Sequence, residues 1–269
     1  MFRAITRLAT LEEPTYVWRG HESMQWGLVP SINRKLNVYA PLAAAALDAK
    51  QTAVDAETHA LMAAARSHRH HVLDGWEMPD LPLLALLQHN GAATPLLDVT
   101  TDPIVALHFA SQHGPGNDTD GLLIAIDARE SKVETFAVGE GASWSQALAR
   151  LENKGKPLGL YTPPMVTPRI MAQRGRFLFG SLSAGLGYSV LGVREPASWT
   201  QRNLVNLFNP EGPGRLQIPP VVVIRIPRGD KEKIRSVIAT SFGLNNETLF
   251  PDFPGFADAH AASGPILSA

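Results

Sequence analysis

The run "LLALLQHNGAATPLLDVTTDPIVALHFASQ", Leu83 to Gln112, constrains this chain more than any other stretch. It is apolar enough to be core, yet Gln88, His89, Asn90, Asp98, Thr100, Thr101, Asp102 and His108 recur through it. Buried polar groups need partners, so these residues either close the ends of helices and strands or line a site. Local signals divide the run. Leu81 to His89 suits a buried helix that stops at Asn90-Gly91. Pro95 to Val99 suits a buried strand. Thr101 or Asp102 can then cap a helix whose first residue is Pro103. The two-residue period of the strand puts Asp98 and Thr100 on one face, away from Leu97 and Val99. A buried Asp98 needs a partner, and Arg19 is the natural one. From these residues alone, Asp98 and Thr100 serve a site or a helix start equally well.

Around this centre, "YVWRG" (Tyr16 to Gly20) reads as a short buried strand, and "HESMQWGLVPSINRK" as a polar loop. From Pro41 to Val72 the Ala-rich text has helical spacing, in one helix or two in line, ended by Gly75 and Pro79. "GLLIAID" (Gly121 to Asp127) is a strand. A short helix is expected around Trp144 to Leu151 within an otherwise unassigned stretch, Arg129 to Pro168. "PRIMAQRGRFLFGS" suggests two short strands, or one kinked at Gly175. "PPVVVIRIP" (Pro219 to Pro227) is a strand, with Asp230 capping a helix through Thr240. The end holds a proline-bounded turn, a short helix and a loose tail at about 262–269. Strands and helices mix without a βαβ beat. The expectation is therefore a single α+β domain over 1–269, with mixed or antiparallel sheets and a helical segment at about 41–90.

Composition excludes whole classes. Lys plus Arg number 24 against 25 Asp plus Glu, a net charge of −1, so no global field draws nucleic acid or anionic lipid. With no cysteine there are no disulfides, thiolate nucleophiles or Cys-type zinc sites. No signal peptide and no run of roughly 18 apolar residues is seen, so a soluble, cytoplasmic protein with no membrane partner is expected.

Several residue types could carry chemistry. Arg19 at a strand end, beside the open backbone of Gly20, suits phosphate or carboxylate held by a guanidinium fork, or else an ion pair with a core aspartate. Gln88 and His89 fall at a helix end, where they can bond the last carbonyls; His89 is also a possible acid-base group. His68 to His71 ("HRHH") sit where a helix C-terminus favours cations, and no second cluster has ligand spacing, so no metal is expected. Gln173, Arg174 and Arg176 form a polar, basic island around Gly175, readable as a β-bulge with solvated arginines. GxGxxG after a strand, the P-loop, HExxH and GxSxG are all missing.

Two stretches together carry a resemblance. "VWRGH" and "ALLQHNGAATPLLDVTTDPIVALHFAS" resemble the opening and central run of the FRG domain family, and "PRIMAQRGRF" and "LFPDFPGFA" its later motifs. Pro95 stands where that family usually has arginine, Ala93 where it often has proline, Asn90 for its aromatic and Val99 for its tryptophan. More distantly, "YVWRG" and "LDVTTDPIVALHFA" are similar to two elements of ADP-ribosyltransferases, while "AQRGRF" is similar to the third only in Gln173.

The second resemblance implies an ADP-ribosyltransferase-like fold and NAD as substrate, with the ADP-ribosyl group transferred or hydrolysed. It implies Arg19, Asp98 and Gln173 as catalytic residues. Arg19 would grip phosphate or ribose, Asp98 would hold Arg19 or supply the carboxylate, and Gln173 would orient a ribose hydroxyl. Arg19, Gly20, Gln88, His89 and Thr100 would bind the nucleotide, with Thr100 in the nicotinamide wall; Glu247 is an alternative carboxylate. Toxin or phage-defence roles follow by association, with a protein or nucleic-acid acceptor and a possible antitoxin or regulatory partner. The alternative is a non-catalytic nucleotide-binding or protein-interaction module on the same fold. A weaker one is action on nucleic acid through Arg169, Arg174 and Arg176.

Overall fold

The computed structural model describes residues 5–6, 8, 16–38, 44–113, 119–129, 133–137, 141–164, 167–182 and 221–259. Pro41, Pro219 and the tail at 262–269 lie outside them. The architecture is α+β, built on a seven-stranded sheet with strand order β6-β7-β8-β4-β1-β5-β9. Its members are β1 (Tyr16–His21), β4 (Leu97–Thr100), β5 (Gly121–Asp127), β6 (Val133–Phe136), β7 (Leu158–Tyr161), β8 (Gly175–Phe179) and β9 (Val221–Ile226). All neighbours are antiparallel except β6 and β7, which makes the sheet mixed. A separate hairpin joins β2 (Val72–Leu73) to β3 (Trp76–Glu77).

β1 and β5 pair over six residues, Tyr16 with Asp127 through His21 with Leu122. Every residue of β5 is buried, as expected of a strand covered on both faces. One face packs on α4 (Pro103–Ala110), whose start follows the sequence reading: Asp102 accepts from the N–H groups of Ile104 and Val105, with Pro103 next. α4 lies unusually close to the sheet. A methyl at Gly20 would sit 2.0 Å from the Ala106 carbonyl oxygen, and one at Gly121 would sit 1.9 Å from that of Ala110. Glycine on the strands and alanine on the helix are therefore one packing solution. Gly20, expected as open backbone for a ligand, has its Cβ direction filled by α4.

The other half of the sheet packs on α3 (Asp80–His89) and α5 (Trp144–Asn153), with Phe179 between Phe136 and Trp144, its ring tilted against both at centroid distances of 5.1 and 5.5 Å. Asn90 closes α3 through its own side chain, donating to the Leu86 carbonyl at 2.8 Å, and Gly91 follows at φ 84°. Gln88 and His89 leave the helix carbonyls alone. α2 (Ala44–Ser67) is one helix. Behind it, Asp74 and Gly75 both take positive φ, the two-residue turn that twists with a hairpin, so the segment at 41–90 is not wholly helical.

Further elements differ from the sequence reading. Within the expected polar loop, Ser31–Lys35 forms the short helix α1. Residues 129–168, apart from the expected helix, hold β6 and β7. "PRIMA" is a helix, α6 (Pro168–Ala172): the Thr167 hydroxyl accepts from Ile170 N–H with Pro168 in the first turn. The reversal before β8 falls at Arg174, φ 48°, and not at Gly175. α7 (Lys231–Phe242) is entered through a 3-10 turn, Arg228–Asp230. That turn holds Asp230 in a helical conformation, and its side chain makes no capping bond. The short helices α8 (Asn246–Leu249) and α9 (Phe253–Ala259) close the described chain. No helix among the described residues is long and apolar enough to cross a membrane.

The Gly20 contact predicts that Gly20→Ala costs about 3 kcal/mol or more, since neither backbone can yield. Denaturant unfolding would measure it, and a loss under about 0.5 kcal/mol would mean that α4 can move outward.

Candidate functional site

β1 is fully paired on its β5 side and barely paired on the other. Among the described residues the register between β1 and β4 is the single pair Trp18 and Thr100. Beyond it the strands part, and a cavity of about 300 Å³ opens between Arg19-Gly20 and Asp98-Val99. α3, α4, α6, β8 and Phe250 complete its walls. The volume is at the lower end of the roughly 300–1,000 Å³ usual for ligand pockets.

Register dictates which side chains meet here. With Trp18 opposite Thr100, Arg19 shares a sheet face with Val99, while Asp98 points to the other face. Arg19 therefore reaches the backbone of Asp98 first: Nη1 donates to its carbonyl at 2.6 Å, and the carboxylate stands 3.8 Å away. On its other side, Arg19 Nε donates to His21 Nε2 at 2.8 Å. An arginine only donates, so His21 Nε2 is the acceptor and Nδ1 carries the proton, donating to the Trp26 carbonyl at 3.1 Å. Burial, helped by the nearby Arg19 and Arg34 charges and opposed by that Trp26 bond, pushes the His21 pKa down to about 3. His21 is thus a neutral acceptor that fixes the guanidinium. Burial also lowers the Arg19 pKa, against the pull of Asp98, though an arginine stays charged. Nη2 makes no hydrogen bond among the described residues.

The Asp98 carboxylate is the open one, with its side chain 55% exposed. Gln88 holds it: Oε1 accepts from Thr94 at 2.6 Å and from Ser31 at 3.3 Å, which turns Nε2 to donate to Asp98 Oδ2 at 2.8 Å. Thr100 and Gln173 line the cavity with their polar groups largely engaged. The Thr100 hydroxyl donates to the Gln173 carbonyl at 2.7 Å and accepts from Asp102 N–H at 2.9 Å. Gln173 Nε2 donates to the Leu249 carbonyl at 3.0 Å.

Of the far wall, the sequence marked His89 and Arg169 as candidates but not the residue that joins them. Asp252 binds His89 Nε2 at 3.2 Å and Arg169 Nη2 at 2.6 Å, and Arg169 lies 4.9 Å over the Phe250 ring. Phe250 meets Phe109 edge to face at 6.0 Å. Since Asp252 accepts, His89 carries its proton on Nε2 and a lone pair on Nδ1. Burial and Arg169 lower the His89 pKa more than Asp252 raises it. For Asp252, burial is outweighed by Arg169 and the Gly255 N–H, which hold its carboxyl below the usual range. Arg176 also lines the cavity, and burial lowers its pKa.

The structure thus brings Arg19, Gly20, Gln88, His89, Asp98, Thr100 and Gln173 to one cavity. Glu247 lies apart, beside a shallower depression with His108, Arg235 and Asn246. No glutamate is among the cavity's described lining residues. Among the described residues no cluster of His, Cys, Asp and Glu could hold a metal ion. His21, Arg169, Phe250 and Asp252 complete the site. Only the "LFPD" motif carried a signal for Asp252.

A cationic, aromatic-walled cleft in the middle of a mixed sheet is the class of site that the fold defines. A family model for the FRG domain matches residues 14–118, from the approach to β1 through α4. The chain is similar to that family over this stretch, which includes Arg19, Gln88, His89, Asp98 and Thr100; Arg169, Gln173, Arg176 and Phe250 come from beyond it. Comparison with curated proteins and with solved structures finds no match.

His21 makes the fold acid-sensitive. Its folded pKa of about 3 lies below the ordinary value of 6.5, so its contribution is complete above pH 6.5 and is lost as pH falls toward 3. Between about pH 5.5 and 4, unfolding free energy should fall faster in the wild type than in His21→Asn, by about 1.4 kcal/mol per pH unit. Equal slopes would show that folded His21 takes up a proton.

Proposed function

We propose that the chain binds NAD or a closely related nucleotide in the cleft between β1 and β4, and that it breaks the bond between nicotinamide and ribose. The observation that carries this reading is an arginine fixed from behind by His21 and the Asp98 carbonyl, its Nη2 without a hydrogen bond among the described residues, beside an open carboxylate. Arginines suit the diphosphate, and the aromatic wall of Phe109 and Phe250 suits a flat ring. As the C1′–N bond breaks, its electron pair leaves with nicotinamide, neutralising the pyridinium, and positive charge develops on the ribose. Asp98 is placed in this reading to stabilise that charge. Water or an acceptor group then adds at C1′ and loses a proton, for which the lone pair on His89 Nδ1 is a suitable receiver. A toxin or phage-defence role, with an antitoxin or regulatory partner, would follow from consumption of NAD or modification of an acceptor.

A second reading, a non-catalytic nucleotide-binding module, is favoured by the engaged Thr100 hydroxyl and Gln173 amide and by the lack of a glutamate among the described lining residues.

Incubation with NAD, following free nicotinamide, separates the two. On the first reading, Arg19→Ala and Asp98→Asn each lower release by about a hundredfold or more, and Asp98→Asn still binds ADP-ribose. Absence of release, with ADP-ribose binding that Arg19→Ala removes, would leave the binding module. Absence of both would end the nucleotide reading.

A further inference from the structure

The charges around the cavity do not balance, and the imbalance points to its ligand. Arg19 faces the Asp98 carboxylate at 3.8 Å, and Arg169 is bonded to Asp252 at 2.6 Å. Just outside the lining, Arg174 lies 3.3 Å from Asp102. Arg176 has no carboxylate at ion-pair distance among the described residues. Its one hydrogen bond among the described residues is a 3.3 Å contact from Nη1 to the carbonyl of the adjoining Gly175. Two nitrogens of this half-buried guanidinium carry no partner among the described residues, and with no counter-charge beside it the residue is available to an anion that enters the cavity.

Its place in the sheet supports this. Arg176 is registered with Val99, and Trp18 with Thr100, so Arg19, Val99 and Arg176 project from the same sheet face on three successive strands. β1 and β8 flank β4, which separates the two arginine backbones by about 10 Å in a regular sheet. Two extended arginine side chains can converge over that distance on adjoining anionic groups. Arg19 is already half-spent on protein acceptors and offers mainly Nη2. One phosphate suffices for it, and Arg176 remains for a second.

We propose that Arg176 is a phosphate-binding residue of the cleft, and that with Arg19 it selects a ligand carrying a diphosphate over one carrying a single phosphate. This rests on the nucleotide reading above and adds the ligand's charge class.

Calorimetric titration of the full chain with AMP, ADP and inorganic pyrophosphate, at one fixed ionic strength, tests it. The wild type should bind ADP at least about tenfold more tightly than AMP. Arg176→Met should bring that ratio close to one while leaving AMP affinity within about twofold, and Arg176→Lys, with charge but no fork, should fall between. Equal wild-type affinities for ADP and AMP would overturn the proposal, as would an unchanged ratio in Arg176→Met. If the Met variant does not fold, the wild-type ratio and the Lys variant decide. Pyrophosphate that binds as well as ADP and is lost in Arg176→Met would uphold Arg176 and end the nucleotide reading. Failure of all three ligands to bind the wild type would end both.

Discussion

A side chain does the work of a missing strand ladder at the centre of this sheet. β1 and β4 register at Trp18 and Thr100, and past that point the Arg19 guanidinium spans the gap to the Asp98 carbonyl. Without that donor a backbone acceptor at the middle of the fold would face the cleft unpaired. The arrangement holds only if Arg19 cannot swing away. The neutral His21, anchored on the Trp26 carbonyl, provides that restraint. Strand separation, cavity and charge thus follow from how one arginine is held.

The rest of the molecule keeps the gap open at a fixed width. Gly20 and Gly121 let α4 approach until its backbone meets theirs, which locks β1 to β5 and to the helix beneath. On the other side, Asp252 gathers His89 from α3 and Arg169 from α6, and Phe250 lies under the Arg169 guanidinium. Segments distant in sequence therefore share one wall. The stretch similar to the FRG domain supplies Arg19 and Asp98, and later chain supplies most of the cations opposite them.

What could be read from the sequence was local. The Asp102-Pro103 start of α4, the Asn90-Gly91 stop of α3 and the "GLLIAID" strand each announce themselves within a few residues. β6 and β7 do not: each has four residues, and their pairing spans an α-helix. In "PRIMAQRGRFLF" the pattern of the following strand hid a Thr167-Pro168 helix start that was legible by the same rules applied to Asp102-Pro103. The candidate residues of the central run do meet, because strand and helix ends converge on the split. Their partners were another matter. His21 matters only once Arg19 points back at it, and Arg169 meets Asp252 across 83 positions of chain. The Arg19–Asp98 contact reaches the backbone first because register, which sequence does not fix, puts the two side chains on opposite faces.

On the function proposed, the parting of β1 from β4 is a ligand site organised by Arg19. A crystal structure of the full chain grown with ADP-ribose tests this most directly. The prediction is a phosphate within hydrogen-bond distance of Arg19 Nη2, a second phosphate at Arg176 and an aromatic ring against Phe109 or Phe250, with the strands still parted. A ligand bound elsewhere, or β1 and β4 zipped into a continuous ladder over Arg19 and Asp98, would contradict it.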